Sequence, residues 1–545
     1  MARIDEFPVE LLKAVFLYIR YLPPKYEREP SCAAISQVCA HWRAVALGTP
    51  ELWTLPPLKS VRWTELCLAR SIPAPITIEA EWLRDAEYET RRTTLPLVYP
   101  ELHRVLSLRT SSKAEVEMPT VLRELFEGLN SGPAPILSDL YISFDDADAL
   151  RTGFTPFGPL DHPLDLPLAI FADARLVALR TASFKACMLP SLWSTTFLPL
   201  NLQSLTLVDS AAWINMDGMI EFFQLVPNLV FLDLQQPSSW RTCAFDETPS
   251  TVHPPRSVHL PHMRNLRINA PFWQGLALLI YLSLPVTASI DLNVCDIDRS
   301  IVWESPDTAE HLLRLGTFVV QQHFATMVGQ GHNYIHVGLD DIRIMGPCPT
   351  DLANTLRVTH IGDLGPVQPY MHLSFGVGVG SAQHQHDSYA LYLTQPMFTG
   401  AESMSVSTFP TSEAWPLFRH FTALRNLYLC EASFNDFAAA VAEAPAESRL
   451  FPALQRLQII DTSIDTIDDE LWDDEDMDEV TQRVQANIQR WLDLAQSLAH
   501  YEHFEMLILA GQIGVSEETF HAITGILGEQ RVMLGFKRRR RDRLY

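Results

Sequence analysis

A chain of 545 residues, 47% hydrophobic and 19% charged, has enough apolar material for a large core and is excluded from the wholly disordered class. Its formal net charge of −24 opposes the phosphate backbone, so no nucleic-acid partner is expected for the body of the protein. The eight cysteines, at 32, 39, 67, 187, 243, 295, 348 and 430, include no Cys-x-x-Cys pair, which fits neither a disulfide framework nor a zinc site. The opening Met-Ala-Arg-Ile-Asp-Glu-Phe-Pro lacks the apolar segment of a secretory signal. The most apolar stretch, Gly275 to Val286, is about half a membrane span, and no Asn-x-Ser/Thr sequon occurs. A soluble chain of a reducing compartment, cytoplasmic and/or nuclear and without a membrane partner, is expected.

Two short apolar stripes come first. Leu12, Val15, Phe16 and Ile19 recur at i, i+3, i+4 and i+7, one face of a helix. Ile35, Val38, Cys39 and Trp42 repeat that spacing and Val45 extends it, which predicts a second helix through this stretch. Pro8 suits the first turn of the first helix and Asp5 its positive end, and Pro30-Ser31 offers a start for the second. Two helices of this size make a marginal core, so part of their apolar surface is expected to meet a partner.

At Phe7-Pro8-Val9-Glu10-Leu11-Leu12, with Phe16 and Ile19 beyond, and then at Val38-Cys39-Ala40-His41-Trp42-Arg43, the chain resembles an F-box. Thr49-Pro50-Glu51-Leu52-Trp53 is similar to the exit of fungal F-box-like proteins. Phe7 stands where leucine is usual, and the loop from Tyr21 to Pro30 is longer and more charged than the compact form. The resemblance implies docking on a Skp-type adaptor, and through it on a cullin, by Pro8, Leu11, Leu12, Phe16, Val38, Cys39 and Trp42.

Beyond Pro56-Pro57 a leucine pattern keeps returning. It reads Leu202-x-x-Leu205-x-Leu207, Leu229-x-x-Leu232-x-Leu234, Met263-x-x-Leu266-x-Ile268, Leu424-x-x-Leu427-x-Leu429 and Leu454-x-x-Leu457-x-Ile459. Weaker copies start at Leu137, Leu176, Leu339 and Phe504, and prolines lead several of them, in Leu198-Pro199, Val226-Pro227, Leu260-Pro261 and Phe451-Pro452. This is the strand portion of a leucine-rich repeat, in which the leucines point inward and neighbouring repeats must stack to cover them. Starts at 176, 202 and 229 are 26 and 27 residues apart. Wider gaps elsewhere mark an irregular array, with helices such as Met216 to Leu225 and Phe434 to Ala444 between strands. The stretch from Leu373 to Leu393 reads equally as a degenerate repeat or an insertion.

The expected fold is therefore α/β: a small N-terminal helical F-box-like domain, followed by an irregular leucine-rich-repeat solenoid with a curved parallel sheet. Residues 1–55 form the first domain and 56–100 a linker with a first strand and helix cap. Residues 101–536 form the repeats, with an acidic loop at 465–479, and 537–545 a basic tail that could direct nuclear import. Outward strand positions are the client-reading surface: Ser204, Thr206, Phe231, Asp233, Asn265, Arg267, Asn426, Tyr428, Arg456 and Gln458.

Catalytic motifs are lacking. Gly376-Val-Gly-Val-Gly380-Ser381 has no Gly-Lys-Ser/Thr continuation, so it is not a phosphate-binding loop in the usual form. His384 and His386 lack a convincing third metal ligand, and Asp145-Asp146 and Asp340-Asp341 read as strand-end turns. The expectation is a non-enzyme without cofactor or metal. It would be the substrate-receptor subunit of an SCF-type ubiquitin ligase, holding a client protein, or else a leucine-rich-repeat scaffold outside any ligase.

Overall fold

The computed structural model describes residues 7–20, 31–82, 85–113 and 118–145, most of 164–294, parts of 311–345, residues 371–374, 393–394 and 399–406, 412–443, 449–460, 477–511 and 516–536. Asp5, the 21–30 loop, the glycine run at 376–380, His384, His386, most of the acidic loop and the basic tail lie outside these residues. The chain divides into two compact units, Met1–Met263 and Arg264–Tyr545, so the stretch from 101 to 536 is split between them.

The first unit opens with four helices: α1 (Val9–Arg20), α2 (Ser31–Gln37), α3 (Ala40–Leu47) and α4 (Val61–Arg70). A single helix was expected through 35–45, but the chain breaks at Val38-Cys39. Cys39 is extended (φ −156°, ψ 173°) and its Sγ accepts the Trp42 backbone N–H at 3.4 Å, capping α3. Arg43 Nε donates to the Ser36 carbonyl at 2.9 Å, satisfying an orphan acceptor at the end of α2.

Six parallel strands follow, each hydrogen-bonded to the next in chain order: β1 (Ile76–Trp82), β2 (Val105–Lys113), β3 (Asp139–Asp145), β4 (Thr181–Lys185), β5 (Ser204–Val208) and β6 (Phe231–Gln235). Their register places Ile78, Leu108, Leu140, Ala182, Leu205 and Leu232 in one buried row. Alternation along each strand puts Glu79, Arg109, Tyr141, Ser183, Thr206 and Asp233 in the neighbouring row on the opposite face.

A short turn sets up many of these strands, and it explains the recurring proline. Leu229 N–H donates to Val226 O at 3.2 Å, and both side chains are buried. Leu260 and Met263, Phe421 and Leu424, Phe451 and Leu454, and Tyr501 and Phe504 repeat the arrangement. Proline follows the first turn residue at 227, 261 and 452, the position where its fixed φ favours a β-turn.

In the second unit the strand order is β7 (Asn265–Ala270), β8 (Ser289–Val294), β11 (Met371–Ser374), β10 (Asp341–Met345), β9 (Tyr334–Val337), β12 (Ser403–Val406), β13 (Asn426–Cys430), β14 (Arg456–Ile460), β15 (Met506–Gly511) and β16 (Val532–Phe536). The weak copy at Leu339 does not make a parallel strand. Its segment is β10, which runs antiparallel to both β9 and β11. From β12 to β16 pairing is parallel again, with Met404, Leu427, Leu457 and Leu507 buried in one row. Aromatic rings fill the space beside these strands. Phe434 stacks on Trp491 at 4.0 Å, and Trp415 lies 5.2 Å from Phe437. The apolar stretch near 275–286 supplies a helix, Phe272–Tyr281, buried from Gln274 onward. Among the described residues no helix is long and apolar enough to cross a membrane.

Candidate functional site

The N-terminal helices close around a core of their own. Leu12 and Phe16 of α1 meet Cys32 and Ile35 of α2, Val45 and Ala46 of α3, Leu52 and Trp53, and Cys67 of α4. The cluster thus reaches past residue 55 into α4. Trp53 is its keystone: the indole N–H donates to Ala46 O at 2.8 Å, and the Arg70 guanidinium lies 4.4 Å from the ring centroid. Thr49 Oγ1 donates to Val45 O at 2.7 Å, so the Thr-Pro-Glu-Leu-Trp exit folds back on α3. Trp42 packs against Phe16 with ring centroids 5.0 Å apart and is only partly buried. Its indole nitrogen has no hydrogen-bond partner among the described residues.

Two of the residues assigned to adaptor contact are corrected by this packing. Leu12 is 3% and Phe16 0% exposed, so both hold the module together and neither offers surface to a partner. Val15 was expected on their face; it is 45% exposed instead. Leu11, Ala14, Val15 and Tyr18 make a second stripe at i, i+3, i+4 and i+7, and all four face solvent. Leu11 is 53% and Tyr18 68% exposed. Glu10 is the acidic residue of the first turn beside the stripe. Val38, at the break between α2 and α3, is exposed as well. Pro8 is exposed just before α1, where its carbonyl accepts the Leu12 N–H at 3.1 Å. Cys39 is half-buried as a cap.

Sequence reasoning missed Ala14 and Tyr18, although their spacing from Leu11 carried the signal. Nine of the twelve residues of α1 are apolar. Periodicity therefore supports two stripes, and only packing decides which one turns inward.

Cys32 and Cys67 both lie in this core as free thiols. The Cys67 S–H donates to Cys32, which lowers the Cys32 thiol below its ordinary range against the opposing effect of burial. The same bond, together with burial, pushes Cys67 up.

The ten outward strand positions divide between the units. In the first, Ser204, Thr206 and Phe231 are half-buried. Asp233 is buried and holds Gln235 Nε2 at 3.1 Å and 3.2 Å, so it serves the sheet and is not open for reading a client. In the second, Asn265, Asn426, Tyr428 and Gln458 are half-buried, and Arg267 and Arg456 are exposed. Arg267 pairs with Asp291 at 3.1 Å, Asn426 donates to Ser403 Oγ at 3.0 Å, and Arg456 lies 3.9 Å from Glu505. Arg109 of the first unit, not singled out from sequence, lies over the Tyr141 ring at 4.5 Å.

Among the described residues no group of three or more His, Cys, Asp or Glu side chains could hold a metal ion. Comparison of the chain with protein-family models and with curated proteins gives no match.

Proposed function

We propose that the chain is a substrate-receptor subunit of a cullin–RING ubiquitin ligase, its N-terminal helices docking on a Skp-type adaptor. One observation carries the reading. The apolar stripe of Leu11, Ala14, Val15 and Tyr18 is left in solvent by a module whose opposite α1 face already closes a complete core. Apolar surface presented by a rigid small module is the usual mark of a docking face. The F-box resemblance names the partner, with Val38 and the exposed Pro8 as further contacts.

The client-holding part is read as an irregular leucine-rich solenoid. In support of this, β1 to β6 pair in strict chain order, and β12 to β16 do the same. The row Arg109, Tyr141, Ser183 and Thr206 presents hydroxyl, aromatic and guanidinium groups suited to a polar polypeptide segment. Such a subunit accelerates transfer by tethering: it raises the local concentration of acceptor lysines near a conjugating enzyme held elsewhere. No side chain of this chain needs to touch the transferred group, and no cofactor is required.

The test is co-purification of the full chain with a Skp-type adaptor. The wild type is expected to be retained, and Leu11→Asp and Val15→Asp lost, with hydrogen exchange across α1 unchanged. A wild type that fails to bind would leave a leucine-rich scaffold without ligase function.

A further inference from the structure

We propose that Arg109, stacked on Tyr141, receives a side-chain carboxylate from an extended segment of the client. The inference rests on the client-holding reading of the outward sheet face and gives that client a chemistry. In the register of the first unit, Arg109 of β2 lies between Glu79 of β1 and Tyr141 of β3. It is exposed, and its guanidinium lies 4.5 Å from the Tyr141 ring centroid. Among the described residues no hydrogen bond or ion pair holds it, although Glu79 is its direct register neighbour. Stacking on the ring orders the side chain and leaves the N–H edge of the guanidinium free. The outward arginines of the second unit provide the contrast. Arg267 is paired with Asp291 at 3.1 Å, and Arg456 lies 3.9 Å from Glu505.

A planar fork of donors matches a carboxylate through two parallel N–H···O bonds, and ordering by the ring reduces the rotamer freedom lost on binding. Half-buried hydroxyls surround the position. Ser183 continues the row on β4, and Ser111 and Ser143 lie two residues further along β2 and β3, about 7 Å away along the strands. They supply donors and acceptors for the backbone of an extended segment. Charge decides between a carboxylate and a phosphoryl group. Glu79 is exposed beside Arg109, and Asp139 is half-buried on the same face of β3. Lys185 of β4 is two strands from Arg109 and already has a partner. One guanidinium offsets the single charge of a carboxylate. A phosphoryl group, with a charge of about −2, would meet both acidic side chains with one guanidinium at hand.

The experiment measures binding of the full-length chain to fluorescent peptide libraries, randomised over uncharged residues around a fixed central aspartate, asparagine or phosphoserine. The aspartate library should bind at least about tenfold more tightly than the asparagine library. Arg109→Gln should abolish that preference. Arg109→Lys, which keeps the charge and loses the fork, should cut it below about threefold. Hydrogen exchange across β2 and β3 should be unchanged in both variants, because the side chain is exposed. Equal binding of the aspartate and asparagine libraries, or no binding of either, would overturn the proposal. So would an aspartate preference that survives Arg109→Gln. A phosphoserine library bound more tightly than the aspartate one would also overturn it, in favour of a phosphorylated client. Adaptor co-purification reads the ligase assignment separately: a chain that discriminates aspartate but binds no adaptor loses that assignment and keeps this site.

Discussion

Leu11 and Leu12 are the same residue type, adjacent on one helix, and the structure gives them opposite duties. Truncating Leu12 to alanine removes a side chain packed against Phe16, Ile35 and Trp53 in the module core. A buried leucine lost in this way costs about 2 to 5 kcal/mol, because neighbours close the cavity only in part. Leu11→Ala removes a group already half in water, and its cost should stay within about 0.5 kcal/mol. The chain has two compact units, so a single global unfolding curve is a poor readout. Hydrogen exchange of amides in α1 and α3 reads the module directly. Leu12→Ala should speed exchange there by about 30-fold or more, the factor equivalent to 2 kcal/mol, and Leu11→Ala by less than about threefold. Equal effects from the two substitutions, or a larger one from Leu11, would refute the assignment of inner and outer faces.

Other consequences follow from single contacts. Arg104 is buried, with Nε on Glu101 Oε2 at 2.6 Å, Nη1 on Ser71 Oγ and Ala74 O, and Nη2 on Leu68 O. Arg104→Ala strands these acceptors and should cost about 3 kcal/mol, seen as faster exchange at the end of α4. Arg43→Ala frees the Ser36 carbonyl and should loosen α2 by about 1 kcal/mol, leaving the β1–β6 amides unchanged. The Tyr501 phenol donates to Leu450 O at 2.8 Å, and burial raises it from an ordinary 10.0 to about 12. Unfolded chain therefore loses this proton first. The contribution is complete below pH 10 and disappears as pH rises through about 12; ultraviolet titration of wild type against Tyr501→Phe checks it.

Leucine spacing was the most legible part of the sequence. At Leu205, Leu232, Leu427 and Leu457 it marked inward positions that the register places in buried rows, because a period of two ties side-chain identity to face. The prolines at 227, 261 and 452 were legible as punctuation, and the structure supplies their turn. Three features were not readable. The break at Cys39 depends on a thiol cap and on Arg43 reaching back to Ser36, neither of which has a sequence period. The antiparallel β10 carries the same alternation as its parallel neighbours, since alternation is blind to strand direction. In α1, apolar residues on both faces left inward and outward undecided, and Leu12 and Phe16 were assigned to a partner when they belong to the core.

Hydroxyl-radical footprinting of the chain with and without a Skp-type adaptor addresses the proposed docking face one residue at a time. Labelling of Leu11, Val15, Tyr18 and Val38 should fall several-fold in the complex, while Leu12 and Phe16 stay unlabelled in both states. A bound adaptor that leaves Leu11 and Tyr18 as reactive as in the isolated chain would contradict the account.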